Sequence, residues 1–272
     1  MTHMLKNKVI IVTGAAGGLG EGIARVCHRE GASVVIGDVQ AAKAEAVASS
    51  LGGRALGVSC DVRKSTDLQR LVDATLQRFG RVDGLVNNAG VNFVKPFLDV
   101  TEEEWERVLS VDLQGTFILS QMVCRKLLAQ APGGGSIVNI SSVHSHSVLA
   151  GSAPYDAAKW GVVGMSKSIA VELATKGIRV NCISPGLLNT DIWKEIQAAA
   201  PDAKSCQEYW NANIPIRRVI EPSEIGELAA FLLADRSACI TGANIFADGG
   251  MTSQLISSEP YASKSLVGEV KS

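Results

Sequence analysis

Short, continuously apolar runs alternate along this chain with longer stretches whose apolar residues recur every three or four positions. Lys8-Val9-Ile10-Ile11-Val12-Thr13 is β-branched and apolar on both faces, as a strand buried inside a parallel sheet must be. Ile23, Ala24, Val26 and Cys27 follow at helical spacing. The alternation continues with predicted strands over 33–37, 54–58, 83–87, 136–141, 178–183 and 244–247. Predicted helices cover 41–51, 63–79, 101–129, 152–175 and 224–233. The 101–129 helix opens on Thr101 as N-cap, with Glu104 closing a capping box. Its core candidates are Trp105, Val108, Val111, Leu113 and Phe117, and Pro132-Gly133-Gly134-Gly135 stops it. Strand–helix alternation throughout predicts an α/β fold: one doubly wound parallel sheet with helices on both faces, in a single domain. Residues 189–215 break the rhythm with mixed polarity, five alanines and two prolines. They are longer than an ordinary connection, and the pattern predicts a mobile helical lid over about 187–217. Residues 251–272 read as a polar tail.

Composition narrows the function classes. The 272 residues are 46% hydrophobic, enough for a large core, and the formal net charge is −1. That balance gives no electrostatic footprint for nucleic acid or an anionic membrane. No apolar run approaches the roughly 20 residues of a membrane-spanning helix. The N-terminal residues lead straight into the first strand, with no signal-peptide pattern. Cys27, Cys60, Cys124, Cys182, Cys206 and Cys239 are scattered without a Cys-x-x-Cys. Free thiols, no structural zinc and a cytoplasmic protein are expected.

Candidate chemistry begins after the first strand, at Thr13-Gly14-Ala15-Ala16-Gly17-Gly18-Leu19-Gly20. Strand, glycine-rich turn and helix form a phosphate-binding opening: backbone can approach a pyrophosphate, and the helix N-terminus offers N–H groups and partial positive charge. Asp38 ends the second strand about twenty residues on, where a carboxylate can bind the adenosine ribose hydroxyls. It would repel a 2′-phosphate, and Ala15, Ala16 and Val39 offer no cation to receive one, so NAD is expected rather than NADP. A cap for the helix from Ala41 is the alternative role for Asp38. Asp61 after the third strand either meets an adenine amino group or caps the next helix.

Tyr155 and Lys159 stand four apart in a predicted helix, so their side chains share one face. Such a pair is usually amphipathic surface. An ammonium group beside a phenol, however, favours the phenolate, which can take a proton from an alcohol or return one to a carbonyl. Ser142, at the carboxyl end of the fifth strand, could hold the substrate oxygen.

Thr13-Gly14-x-x-x-Gly18-x-Gly20, Asn87-Asn88-Ala89-Gly90, Ser142, Tyr155-x-x-x-Lys159 and Pro185-Gly186-x-x-x-Thr190, in this order, resemble the short-chain dehydrogenase/reductase family over roughly residues 6–250. The resemblance implies a Rossmann-type sheet of about seven strands and a homotetramer or homodimer. It places Gly14, Gly18, Leu19 and Gly20 on the pyrophosphate, Asp38 as the selector for NAD, Asp61 and Val62 at adenine, and Asn88 and Gly90 beside the ribose. It also puts Leu188 and Thr190, in the Pro185-Gly186 motif, at the nicotinamide carboxamide. Tyr155 becomes the acid/base, Lys159 its electrostatic partner and ribose ligand, and Ser142 the substrate-orienting group. One position departs: the family commonly has asparagine where Val111-Asp112-Leu113-Gln114-Gly115 carries Asp112. Asp112 either takes over the asparagine's part in a proton relay or pairs with Lys159.

Substrate-facing positions are expected around 91–97, 143–150 and the lid, among them Asn92, Phe93, His144, His146, Val148 and Trp193. The polar mix suggests a sugar, polyol or other hydroxylated small molecule. A hydroxysteroid or acyl thioester stays open, as does a catalytically silent NAD-sensing protein, against which the intact Ser142, Tyr155 and Lys159 argue.

Overall fold

The computed structural model describes residues 3–255. Seven parallel strands run in the order β3-β2-β1-β4-β5-β6-β7. They are β1 (Val9–Thr13), β2 (Ser33–Asp38), β3 (Ala55–Ser59), β4 (Gly84–Asn87), β5 (Gly135–Ile140), β6 (Ile178–Pro185) and β7 (Asn244–Ala247). Alternate strand residues face opposite layers. Ile10, Val12, Val34 and Ile36 pack under α1 (Gly18–Arg29), α2 (Ala41–Leu51) and α9 (Pro222–Leu233) through Ile23, Ala44, Ile225 and Ala229. Ile11, Val35, Leu85 and Ile137 pack on the other face against Leu68, Leu71, Leu119, Val123 and Ala170. Those residues come from α3 (Ser65–Phe79), α5 (Gly115–Ala129) and α6 (Ala153–Leu173). Each fully buried Leu or Ile contributes roughly 1.5–3 kcal/mol, so both layers contribute to holding the sheet between them.

Two features position the site. The strand order reverses between β1 and β4, and the carboxyl ends of these strands open a crevice there, where open α/β sheets bind ligands. A buried polar ladder then fixes α5 and α6 to the sheet. Asn87 Nδ2 donates to Asn139 Oδ1 at 2.8 Å and to Ser120 Oγ at 2.9 Å, and Asn139 Nδ2 donates to Ser166 Oγ at 2.8 Å. Asn87 and Asn139 are register partners on β4 and β5. Satisfied buried polar groups of this kind specify one arrangement of neighbours.

The structure corrects the sequence reading at several points. The expected 101–129 helix is two helices, α4 (Glu102–Leu109) and α5, joined by a π-helical turn over Ser110–Gln114. The Thr101–Glu104 capping box is present. Trp105 and Phe117, expected in the core, are instead 41% and 47% exposed. Residues 187–217 carry two helices, α7 (Asp191–Ala199) and α8 (Ala203–Asn213). The expected tail begins with a 3₁₀ turn, Met251–Ser253, packed beside the site, and its remainder from 256 lies outside the described residues. All six cysteines are free, four of them buried, and burial pushes the Cys27 thiol up to about 12. Among the described residues no helix is long and apolar enough to cross a membrane, and no cluster could hold a metal ion.

Candidate active site

Two cavities meet at the carboxyl ends of the strands. A groove of 980 Å³ runs along Gly14, Gly17, Gly18, Leu19, Gly20, Asp38, Cys60, Asp61, Val62 and Asn88. A second cavity of 720 Å³ is lined by Asn92, Ser142, His144, Tyr155, Lys159 and Trp193. Asn88, Gly90, Val91, Leu188, Thr190 and Ile192 line both, so the two spaces join there.

The glycines of the first turn do two different jobs. Gly14 has φ +62°, and a Cβ on it would lie 2.7 Å from Ala89 Cα; a Cβ on Gly20 would overlap the Gly14 carbonyl oxygen and reach within 2.5 Å of Asn88 Nδ2. These two let the β1 and β4 loops close on one another. A Cβ on Gly17 would meet nothing within 4 Å, and one on Gly18 only Thr190 at 3.8 Å. There the backbone is bare towards the groove, at the N-terminus of α1, which suits an anionic pyrophosphate. Asn88 contributes chiefly by bracing this turn: its Nδ2 donates to the carbonyls of Thr13 at 2.9 Å and Gly14 at 3.0 Å. Thr13 Oγ1 in turn accepts the N–H groups of Asn88 and Ala89.

Asp38 sits at the end of β2 with its carboxylate fixed by the N–H groups of Ala16 (3.0 Å) and Gln40 (2.9 Å). It bonds the residue before α2 rather than the helix's first turn. Asp61 is gripped by Arg63, whose Nη2 lies 2.7 Å from Oδ2; this hydrogen-bonded guanidinium holds the carboxyl below its ordinary range. Asp61 therefore does not cap α3. Lys43 and Arg63 also line the groove, which inspection of residues adjacent to Asp38 in sequence could not reveal.

Ser142 lies buried just past β5. Its Oγ accepts the His144 N–H at 3.2 Å, which leaves its own hydrogen to donate into the cavity. Tyr155 and Lys159 lie one turn apart on α6, with Lys159 Nζ 5.3 Å from the Tyr155 ring centroid. Ser141 Oγ donates to the Lys159 carbonyl at 3.0 Å, tying this turn of α6 to the segment that carries Ser142. Lys159 is buried. Its Nζ reaches the Ile140 carbonyl at 3.3 Å and Asp112 Oδ2 at 3.1 Å. Burial by itself lowers the pKa of this ammonium; Asp112 and Tyr155 beside it together outweigh burial, and the amine is held above its ordinary value. Asp112, on the π turn, is 1% exposed. Its Oδ1 accepts the Val91 N–H at 2.9 Å, whereas Oδ2 meets Lys159 as an ion pair without hydrogen-bond geometry. Of the two sequence-level alternatives, pairing with Lys159 is the one the geometry realises.

Other expected positions divide. Asn92 and Val148 line the second cavity, and so does Trp193, itself buried, from α7. His144 lines it too, its ring edge-on to Tyr155 with centroids 5.1 Å apart. His146 does not: it packs edge-on against Phe246 on β7 and touches Ser147. Phe93 is buried against Val108 and Ala158, so it is core. Gly186 lines the second cavity rather than the groove, and Pro185 is buried at the end of β6 and lines neither. Within the expected lid, Tyr209 and Trp210 on α8 line the cavity; sequence reasoning missed Met251, Thr252, Gln254 and Leu255, which line it too. It also missed Asp156, whose only local signal was a charge immediately after Tyr155.

The family model described as Enoyl-(Acyl carrier protein) reductase matches residues 14–252. The chain belongs to the short-chain dehydrogenase/reductase family. Among the relatives of this short-chain dehydrogenase/reductase, D-threitol dehydrogenase of Mycolicibacterium smegmatis is 38% identical over 251 residues, covering 91% of this chain and 94% of the relative. L-fucose dehydrogenase of Oryctolagus cuniculus is 37% identical over 244 residues, covering 89% and 84%. The crystal structure of 3-ketoacyl-(acyl-carrier-protein) reductase from Brucella melitensis, complexed with NADH, superposes with a TM-score of 0.83 at 33% identity, covering 91% of this chain and 99% of that one.

Proposed function

We propose that this short-chain dehydrogenase/reductase is an NAD-dependent enzyme that interconverts a secondary alcohol and a ketone, or a hemiacetal and a lactone. Its substrate is a sugar, polyol or other small hydroxylated molecule. The observation that carries the reading is the convergence of Ser142, Tyr155 and Lys159 on the cavity that joins the glycine-lined groove. The groove fits the dinucleotide: bare glycine backbone at the N-terminus of α1 takes the pyrophosphate, and Asp38 presents a fixed carboxylate to the ribose hydroxyls. Asp61 and Val62 border adenine, while Gly90, Leu188 and Thr190 lie where the groove meets the substrate space. The bound nicotinamide supplies the hydride acceptor in oxidation and the hydride donor in reduction.

The chain's own residues handle the proton. Ser142 Oγ donates to the substrate oxygen and fixes it. Tyr155 Oη takes the hydroxyl proton as the carbonyl forms and returns it in the reverse direction. Lys159, kept charged by Asp112, stabilises negative charge developing on Tyr155 and reaches the nicotinamide ribose. Residues 187–217 close the cavity from above as a lid, with Trp193, Tyr209 and Trp210 facing the substrate. Those aromatic faces can cover the C–H side of a sugar opposite the polar wall of Asn92, Ser142, His144 and Ser147. They equally suit a steroid ring or acyl chain, the second reading.

D-threitol and L-fucose, the substrates named for two relatives, belong to the first class. The exposed Trp105, Phe117 and Trp160 support assembly as a homotetramer or homodimer, which sedimentation of wild type and Phe117→Glu would test. Free thiols fit a cytoplasmic setting. The functional test is a panel of sugars, polyols, a hydroxysteroid and a 3-hydroxyacyl thioester, each followed by NAD reduction at the nicotinamide absorbance. Turnover of a sugar or polyol supports the reading; exclusive turnover of the steroid or thioester replaces it with the second.

A further inference from the structure

His144 and Asp156 form a cluster that the proton-transfer scheme above does not use. His144 Nδ1 lies 2.5 Å from Asp156 Oδ1, and both side chains are largely buried, at 15% and 14% exposed. A carboxylate can only accept, so Nδ1 carries the hydrogen of this bond, and the tautomer follows from the partner. The other ring nitrogen, Nε2, makes no hydrogen bond among the described residues. Nor is it sealed off from solvent. Nε2 is therefore free to take a partner, on a residue that lines the substrate cavity. With Nδ1–H committed to Asp156, Nε2 offers a lone pair, and a carboxylate behind an imidazole fixes the ring's tautomer and orientation. The ring is also tied to the reacting centre on two sides. Its backbone N–H bonds Ser142 Oγ, and its edge meets the Tyr155 ring.

We infer that His144, oriented by Asp156, accepts a hydrogen bond from a second substrate hydroxyl, on the carbon next to the one oxidised, and so selects vicinal diols over simple secondary alcohols. This rests on the proposed oxidation of a hydroxylated substrate and specifies which hydroxylated substrates are taken. Ser142 and Tyr155 hold the first oxygen, and the acceptor lying against both side chains receives the next one along. A substrate lacking that hydroxyl leaves Nε2 desolvated without a partner, which is the strong form of discrimination. His144 is then a substrate-contacting residue and Asp156 a positioning residue that acts through it.

The test compares 2,3-butanediol with 2-butanol, read as kcat/KM for NAD reduction, in wild type, His144→Ala, Asp156→Ala and Asp156→Asn, with NADH affinity measured on each protein as the folding control. Wild type should prefer the diol by at least about tenfold. His144→Ala should lower the diol-to-2-butanol ratio of kcat/KM by about 10- to 100-fold, with NADH binding within about threefold. Asp156→Ala should shift selectivity the same way, and Asp156→Asn, which keeps an acceptor oxygen for Nδ1–H, should retain most of the diol preference. Parallel loss on both alcohols with NADH binding intact, or no diol preference in wild type that still turns over, overturns the inference and leaves the oxidoreductase reading standing. No turnover of any alcohol by wild type overturns both.

Discussion

Replacing Asp112 by asparagine isolates the charge that sits behind Lys159. The amide keeps the side chain's size and an oxygen for the Val91 N–H, and it removes the negative charge 3.1 Å from Lys159 Nζ. At an effective dielectric of about 20, attraction between unit charges at that distance is roughly 5 kcal/mol. Both groups are almost fully buried, so solvent screens the pair little. Removing one partner of a buried pair typically costs about 3–5 kcal/mol, because the other charge is left uncompensated. At roughly 2–4 °C per kcal/mol for a domain of this size, the Asn variant should melt about 6–20 °C below wild type near neutral pH.

The pH dependence has a definite sign. Lys159 in wild type has a folded pKa above its ordinary 10.5, so its contribution is fully present below that value and is lost only as pH rises beyond it. Near neutrality this group adds no slope. Without Asp112, burial dominates and the amine becomes easier to deprotonate in the folded state than in the unfolded one. The unfolded chain then binds more protons, so the variant gains stability as pH rises, and its deficit should narrow between pH 7 and 9.5. Thermal unfolding by circular dichroism at three pH values reads both effects. Melting within 2 °C of wild type at every pH would refute the claim that Asp112 compensates Lys159. Asp112→Ala should be worse than Asn, since it also orphans the Val91 N–H.

Asp38 should make NADH bind at least about tenfold tighter than NADPH, ~1.4 kcal/mol or more. Fluorescence titration of both cofactors checks this, and equal affinities would mean that Lys43 and Arg63 in the same groove receive the 2′-phosphate. Gly20→Ala should weaken NADH binding by at least tenfold, because its methyl would collide with the Gly14 carbonyl and with Asn88 Nδ2 at 2.5 Å. Calorimetric titration giving an unchanged affinity would show that the two loops separate freely.

Much of this architecture was legible because the signals are local. The β-branched run at Val9–Val12 is apolar on both faces, which only a sheet covered on both sides tolerates. Thr101 and Glu104 mark a helix start by hydrogen bonds three residues apart. The misses concern relations that sequence spacing does not encode. Trp105 and Phe117 follow helical periodicity but are exposed, and periodicity alone does not say which face of a helix meets the sheet. His144 and His146 are two apart after a strand, and the 3₁₀ turn sends one to the cavity and the other to β7. The Asp156 partner of His144 and the 251–255 wall of the substrate cavity arise from packing across elements distant in the chain. Asp112 was visible as an oddity, and its pairing with Lys159 was one of two open readings until the π turn placed it.

The account stands most directly on the phenol of Tyr155 as the group that moves the substrate proton. Tyr155→Phe keeps the ring that packs against His144 and removes only the oxygen. The decisive measurement is kcat for alcohol oxidation by this variant, with NADH affinity determined on the same protein. The account predicts NADH binding within about twofold of wild type and kcat reduced by about 10² to 10⁴, the usual worth of a general acid/base. A phenylalanine variant that binds NADH normally and turns over at near wild-type rate would contradict it.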